Sequence, residues 1–290
     1  MRINQLAIHL CEKLTRYLSG PLFLTDDVTI GKGTVIGKNV RFNCKKVVIG
    51  DGVQIGDGVV FECETLAIGD FATIYPACFF PGPGDLTIGH NFWLGSNSII
   101  DSQGGTIIGN NVGIGAHSQL WTHMKYGDLA AGCRFHSQHQ LIVEDDAWLV
   151  GHVLVSPVRI GARSIVMLGS LVVSNIPSDR VYAGSPAKDM TEKFGSQFRE
   201  NTFEDRRDFV FGRIEQIATS ARIRKIWSRV KLVGEYGAYA PPNELVINVV
   251  ERTYIKRGTD FERLIIRSLL PDAKFVPTRQ IMIGKDPFSG

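Results

Sequence analysis

Aliphatic and aromatic residues recur every six positions through the middle of this chain, grouped in threes. The first triplet is Ile30, Ile36 and Phe42. It returns at Ile49, Ile55 and Phe61, and again at Ile68, Ile74 and Phe80, nineteen residues later each time. Four more triplets follow: Ile88, Leu94, Ile100; Ile108, Ile114, Leu120; Val143, Leu149, Val155; and Ile160, Val166, Val172. Glycine often follows the apolar residue, as at Gly31, Gly37, Gly50 and Gly56. A helix would place apolar residues every three or four positions, and a lone strand every two. A period of six in groups of three means three short strands joined by tight turns, then a return to the start one layer up. Each periodic side chain points inward and stacks on its counterpart in the next coil. The pattern predicts a parallel β-helix, a solenoid whose coils bury their apolar faces against neighbours. A β-sandwich of short strands would not keep such a register over about 145 residues.

Composition bounds the rest. The 290 residues carry a formal charge of +3, which implies no strong field for nucleic acid or membrane. Residues 1–189 hold 14 Lys and Arg against 16 Asp and Glu, and residues 190–290 hold 18 against 13. A surplus of that size reads as a solvated face. The first twenty residues lack a basic start followed by an apolar run, and no stretch is apolar enough to span a bilayer. Five cysteines without framework spacing suit a reducing compartment, so a cytoplasmic protein is expected. Cys44 and Cys63 occupy equivalent places in adjacent coils and should stack as thiols.

Residues 1–24 are expected to form a helical cap, with Ile3, Leu6, Leu10, Leu14 and Leu18 on one side before Gly20-Pro21. Residues 25–189 are the β-helix domain. Pro81-Gly82-Pro83-Gly84 makes a small bulge in it. A far longer excursion, about twenty residues, separates Leu120 from Val143. Long loops on a regular scaffold usually carry function. Residues 190–290 read as a separate α+β unit. They are mainly helical over 190–232, then strand, helix and strand over 245–250, 260–270 and 275–283.

The repeated Ile-Gly-x-x-x-x-Ile-Gly run resembles the hexapeptide-repeat acyltransferases. So does the segment from Val143 to Gly151, with its Trp148. The stretch Gly169-Ser170-Leu171-Val172-Val173-Ser174-Asn175-Ile176-Pro177, followed by Ala183-Gly184-Ser185-Pro186-Ala187-Lys188, is similar to the closing signature of the acetyltransferase branch. The resemblance covers about residues 25–190. It implies a left-handed parallel β-helix, against the usual crossover hand. It also implies transfer of an acetyl group from acetyl-CoA to a hydroxyl or amine, by a homotrimer with sites between subunits. The acceptors it suggests are sugars of surface polysaccharides or their nucleotide-linked precursors. No metal is required, because a thioester is already activated; one base and a few N–H donors suffice.

On that resemblance His123, in Trp121-Thr122-His123 at the root of the long loop, matches the family's general base. Asp101, one coil earlier, is the expected carboxylate behind it, since an imidazole base needs its second nitrogen held. His136 and His139 share the loop but match no motif position; either is the fallback base or meets the acceptor. His117 reads as an outward residue, and His9, His90 and His152 as structural. Carry-over assigns the donor to Trp148, Gly151, Gly169 and Lys188. Two departures bear on it: Val173-Ser174 stands where the family often has Thr-Lys, and Val155 and Ile160 are five apart. Trp121, Tyr126 and Phe135 are candidates to stack on a sugar ring. The γ-type carbonic anhydrases share this solenoid, and Val150-Gly151-His152 resembles part of their motif. Their next histidine, however, falls on Pro157, and one ligand does not make a zinc site. A non-catalytic scaffold that binds a partner through residues 190–290 is the other reading.

Overall fold

The computed structural model describes residues 19–25, 27–223, 225–236 and 243–278. The expected helix at the start of the chain falls almost wholly outside them. The fold class is the one expected in being mainly β and a parallel β-helix.

Its three faces are ladders of short parallel strands. The first face runs through Val28–Ile30, Leu86–Ile88, Thr106–Ile108, Leu141–Val143 and Arg159–Ile160. The second runs through Val35–Ile36, Gln54–Ile55, Thr73–Ile74, Trp93–Leu94, Gly113–Ile114, Trp148–Leu149, Ile165–Val166 and Val181–Gly184. The third includes Phe79–Phe80, Ile99–Ile100, Gln119–Leu120, Leu154–Val155 and Leu171–Val172. Register follows the period of six: Ile36 pairs with Ile55, and Ile55 with Ile74. The inward residues from Phe42 to Val172 are buried. Ile30, in the first coil, departs from the expectation at 43% exposure, and Ile36 is half-buried. Phe23, Phe42, Phe61 and Phe80 stack ring on ring at 4.5, 5.0 and 4.5 Å. Such offset aromatic contacts add to area burial.

Two strands do not break at a corner. Arg41–Ile49 and Val60–Ile68 each run nine residues, from the third face round to the first. Neither contains Gly or Pro, so nothing interrupts the extended backbone. Inside this bend the free thiols of Cys44 and Cys63 lie 3.1 Å apart, buried. The hydrogen bond to Cys44, reinforced by burial, holds the Cys63 thiol well above its ordinary range.

At the corner between the first and second faces, each coil caps the one before it. The N–H of Lys32 donates to Asp51 Oδ1 at 2.7 Å, and that of Asp51 to Asp70 Oδ1 at 2.8 Å. Asp70 donates to His90 Nδ1 at 2.9 Å, His90 to Asn110 Oδ1 at 2.9 Å, and Asn110 to Asp145 Oδ1 at 2.7 Å. Backbone donors that a tight corner would orphan are satisfied this way.

The chain divides into two compact units between Phe198 and Arg199. In the first, Ala187–Asp189 folds back antiparallel on Val181–Gly184 to end the second face. In the second, helix Phe203–Ser220 begins at a capping box between Thr202 and Asp205. A four-stranded sheet follows in the order Val230–Val233, Leu245–Asn248, Thr253–Ile255 and Val276–Thr278, with helix Asp260–Leu269 before the last strand. The strand, helix and strand expected after residue 245 are present. Val230–Val233 and Thr253–Ile255 were not expected; both are short runs without a clean alternation. Among the described residues no helix is long and apolar enough to cross a membrane.

Candidate active site

The third face carries the chain to Leu120, and the next coil resumes only at Leu141. Between them the excursion folds as a small hairpin, with His123–Met124 antiparallel to Ser137–Gln138. Its root is fixed by the ladder beneath, where Ile100 pairs with Leu120 and the Asp101 N–H donates to Leu120 O at 2.9 Å. The helix-forming repeat thus delivers Asp101 and the start of the hairpin to one corner, a coil apart.

There His123 Nδ1 lies 2.6 Å from Asp101 Oδ2. The Asp101 side chain is fully buried, while that of His123 is 25% exposed. Oδ2 also accepts the Thr122 N–H at 2.8 Å and the Thr122 hydroxyl, and Oδ1 accepts the Gln103 N–H at 3.1 Å. An ionised carboxylate is an acceptor only, so the proton of a neutral His123 belongs on Nδ1 and the lone pair on Nε2. Trp121 meets the imidazole edge-on, with ring centroids 6.3 Å apart. The arrangement can take a proton at Nε2 and stabilise the resulting imidazolium through Asp101.

The remaining sequence candidates lie elsewhere. His136 and His139 are exposed on the hairpin; the His139 N–H donates to Thr122 O at 2.9 Å. Tyr126 and Phe135 are also exposed there. His90 is structural, as expected, within the corner ladder. His152, expected to be structural, is exposed, and its ring stacks on His117 at 4.9 Å. The two occupy equivalent left-handed turn positions, at φ 58° and 50°, where a side chain projects outward. Trp148 and Lys188 sit on the strands of the second face, both exposed. Gly151 and Gly169 stack at the corner between the second and third faces, where the Gly169 N–H donates to Gly151 O at 3.0 Å. His123 stands at the corner between the third and first faces. A single chain therefore does not bring the expected base and the expected donor residues together. Sequence reasoning missed Thr122 and Gly104, the latter donating its N–H to Thr122 Oγ1 at 2.9 Å. The threonine directly before His123 was the available signal.

No family model matches the chain. It is 29% identical over 124 residues to the galactoside O-acetyltransferase of Escherichia coli K12, a match covering 42% of this chain and 61% of that one. Against a putative acetyltransferase of Saccharomyces cerevisiae it is 30% identical over 117 residues, covering 40% and 60%. The chain spans about three-fifths of the length of these curated relatives. Among solved structures, a hexapeptide-repeat acetyltransferase of Vibrio cholerae, crystallised with acetyl coenzyme A, is 20% identical with a TM-score of 0.30, over 68% of this chain and 81% of that one.

Proposed function

We propose that this hexapeptide-repeat protein moves an acetyl group from acetyl-CoA to a hydroxyl or amino group of a sugar, with His123 as general base. The observation that carries the reading is the 2.6 Å contact between His123 Nδ1 and Asp101 Oδ2, which leaves Nε2 as the basic atom. Acetyl-CoA supplies an acyl carbon already activated as a thioester. His123 Nε2 removes the proton from the acceptor as it attacks the thioester carbon, Asp101 balances the charge on the ring, and as the C–S bond breaks the imidazolium returns the proton to the departing coenzyme A sulfur. The sugar acceptor rests on the galactoside named for the bacterial relative and on the exposed rings of Tyr126 and Phe135.

The donor residues fit such a molecule. The Trp148 indole is 47% exposed and Lys188 is exposed, one for packing and one for a phosphate. At Gly169, φ +72°, a Cβ would meet nothing within 4 Å. At Gly151, φ +145°, it would stand 3.4 Å from Leu168 Cδ1 and 3.5 Å from Ala116 O. Gly169 thus leaves open space at this corner, beside the exposed Leu168 side chain, where an extended arm can approach the backbone. Because the base and these glycines lie on different corners of one prism, the proposed unit is a homotrimer in which one subunit's His123 faces its neighbour's glycine corner.

One variant tests the whole reading. His123→Asn should remain a trimer by light scattering and bind acetyl-CoA as the wild type does. Its release of coenzyme A in the presence of acceptor should fall by roughly 10²–10⁴-fold. Wild-type turnover in this variant would remove His123 as the base, and a monomeric wild type would remove the shared site.

A further inference from the structure

Asp101 is gripped from both ends. A carboxylate torsion is broad and two-fold when nothing holds it, so an orienting aspartate needs an orienter of its own. Gln103 N–H takes Oδ1 at 3.1 Å, while Thr122 delivers both its N–H and its hydroxyl to Oδ2. Thr122 is completely buried, and its β-branched side chain has little χ1 freedom. The direction of its hydroxyl is not arbitrary. Gly104 N–H donates to Thr122 Oγ1 at 2.9 Å, occupying a lone pair and turning the hydroxyl proton toward Asp101. The turn carrying Gly104 is flush against the hairpin: a Cβ there would come within 2.3 Å of His139 O and 3.0 Å of Thr122 Cβ. Thr122 O in turn accepts the His139 N–H at 2.9 Å, which ties the returning strand of the hairpin to the same residue. Backbone turn, threonine, carboxylate and imidazole form one chain of hydrogen bonds, and its far end is His123 Nδ1 at 2.6 Å.

We infer that Thr122 is a positioning residue, whose hydroxyl locks the Asp101 carboxylate in the rotation that holds His123 Nδ1 and aims Nε2 outward. The inference rests on the reading of His123 as the base. Its test therefore includes a measurement that needs no turnover. A short N–H···O contact between imidazole and carboxylate gives a far-downfield proton NMR signal, assigned here by its loss in His123→Asn. Thr122→Val keeps the shape and removes the hydroxyl; Thr122→Ser keeps the hydroxyl. In Thr122→Val the signal should disappear or move upfield. Release of coenzyme A from acetyl-CoA should slow by roughly 10–100-fold, the range typical of outer partners that orient a reacting group, with the Michaelis constant for acetyl-CoA nearly unchanged. Thr122→Ser should restore both. If Thr122→Val does not fold, Thr122→Cys leaves a weaker donor in the same place and should weaken the signal. An unchanged signal in Thr122→Val, or in Thr122→Cys where that stands in for it, overturns the inference whatever the rate. A lost signal with wild-type turnover upholds the positioning by Thr122 and instead removes His123 as the base.

Discussion

His90 and His123 each follow an aspartate of the preceding coil, Asp70 and Asp101, at corners of the same solenoid. In the first pair the Asp70 backbone N–H donates to His90 Nδ1 at 2.9 Å, and the carboxylate stands 3.8 Å from that nitrogen. In the second the Asp101 carboxylate itself meets His123 Nδ1 at 2.6 Å. A neutral ring that accepts at Nδ1 carries its proton on Nε2 and has no basic nitrogen left to offer. A ring that donates at Nδ1 keeps the Nε2 lone pair for chemistry. What divides the two sites is the partner that claims Nδ1, and the local backbone decides that. At His90 the coil closes at once. At His123 the chain leaves the coil, and Thr122 brings the carboxylate round.

Asp101→Asn attacks the distinction where it is sharpest. An amide in that place can hold the ring in the wrong tautomer, and turnover should fall roughly 10²–10⁴-fold while the protein stays folded. Near-normal coenzyme A release in this variant would make the two corners equivalent. Gly104→Ala should do less to chemistry and more to stability, because its Cβ would lie 2.3 Å from His139 O. Overpacking of this kind costs about 1–3 kcal/mol, read as a lower thermal midpoint together with reduced turnover. If the midpoint does not move, the turn beneath the hairpin is not as tightly seated as its contacts require. His90→Asn should do least. Asn110 already offers an amide oxygen to the His90 N–H one coil later, so an asparagine at 90 can repeat that bond for Asp70. The midpoint should shift by less than about 1 kcal/mol equivalent, with turnover intact. A large loss of activity here would show that His90 has a role beyond its corner.

The sequence carried the solenoid openly because its information is periodic: one apolar side chain in six can face inward only if the coil has three sides. The Cys44 and Cys63 stack and the place of Asp101 beneath His123 follow from the same count. What the count could not reach were departures from it. Arg41–Ile49 and Val60–Ile68 pass a corner as unbroken strands because no Gly or Pro interrupts them, and a corner without punctuation is silent in the pattern. His152 looked structural because its neighbours in sequence are; only its left-handed turn conformation turns it outward against His117. Thr122 is one residue from the expected base, but its value lies in a bond from Gly104, eighteen residues away. In the second unit the apolar runs are short and the strands Val230–Val233 and Thr253–Ile255 have no period to betray them.

The corner ladder from Lys32 to Asp145 gives the stack a direction. Every rung runs the same way: the earlier coil donates a backbone N–H, and the later coil supplies the side chain that receives it. Each coil is therefore finished only when its successor arrives, as each course of a wall is bedded by the next. During synthesis the newest coil is always the incomplete one. Loss of material from the C-terminal end strips a completed corner at every step, whereas loss from the other end removes a donor and leaves the acceptor above it free to take water. The two ends of this solenoid are not equivalent places to begin unravelling it.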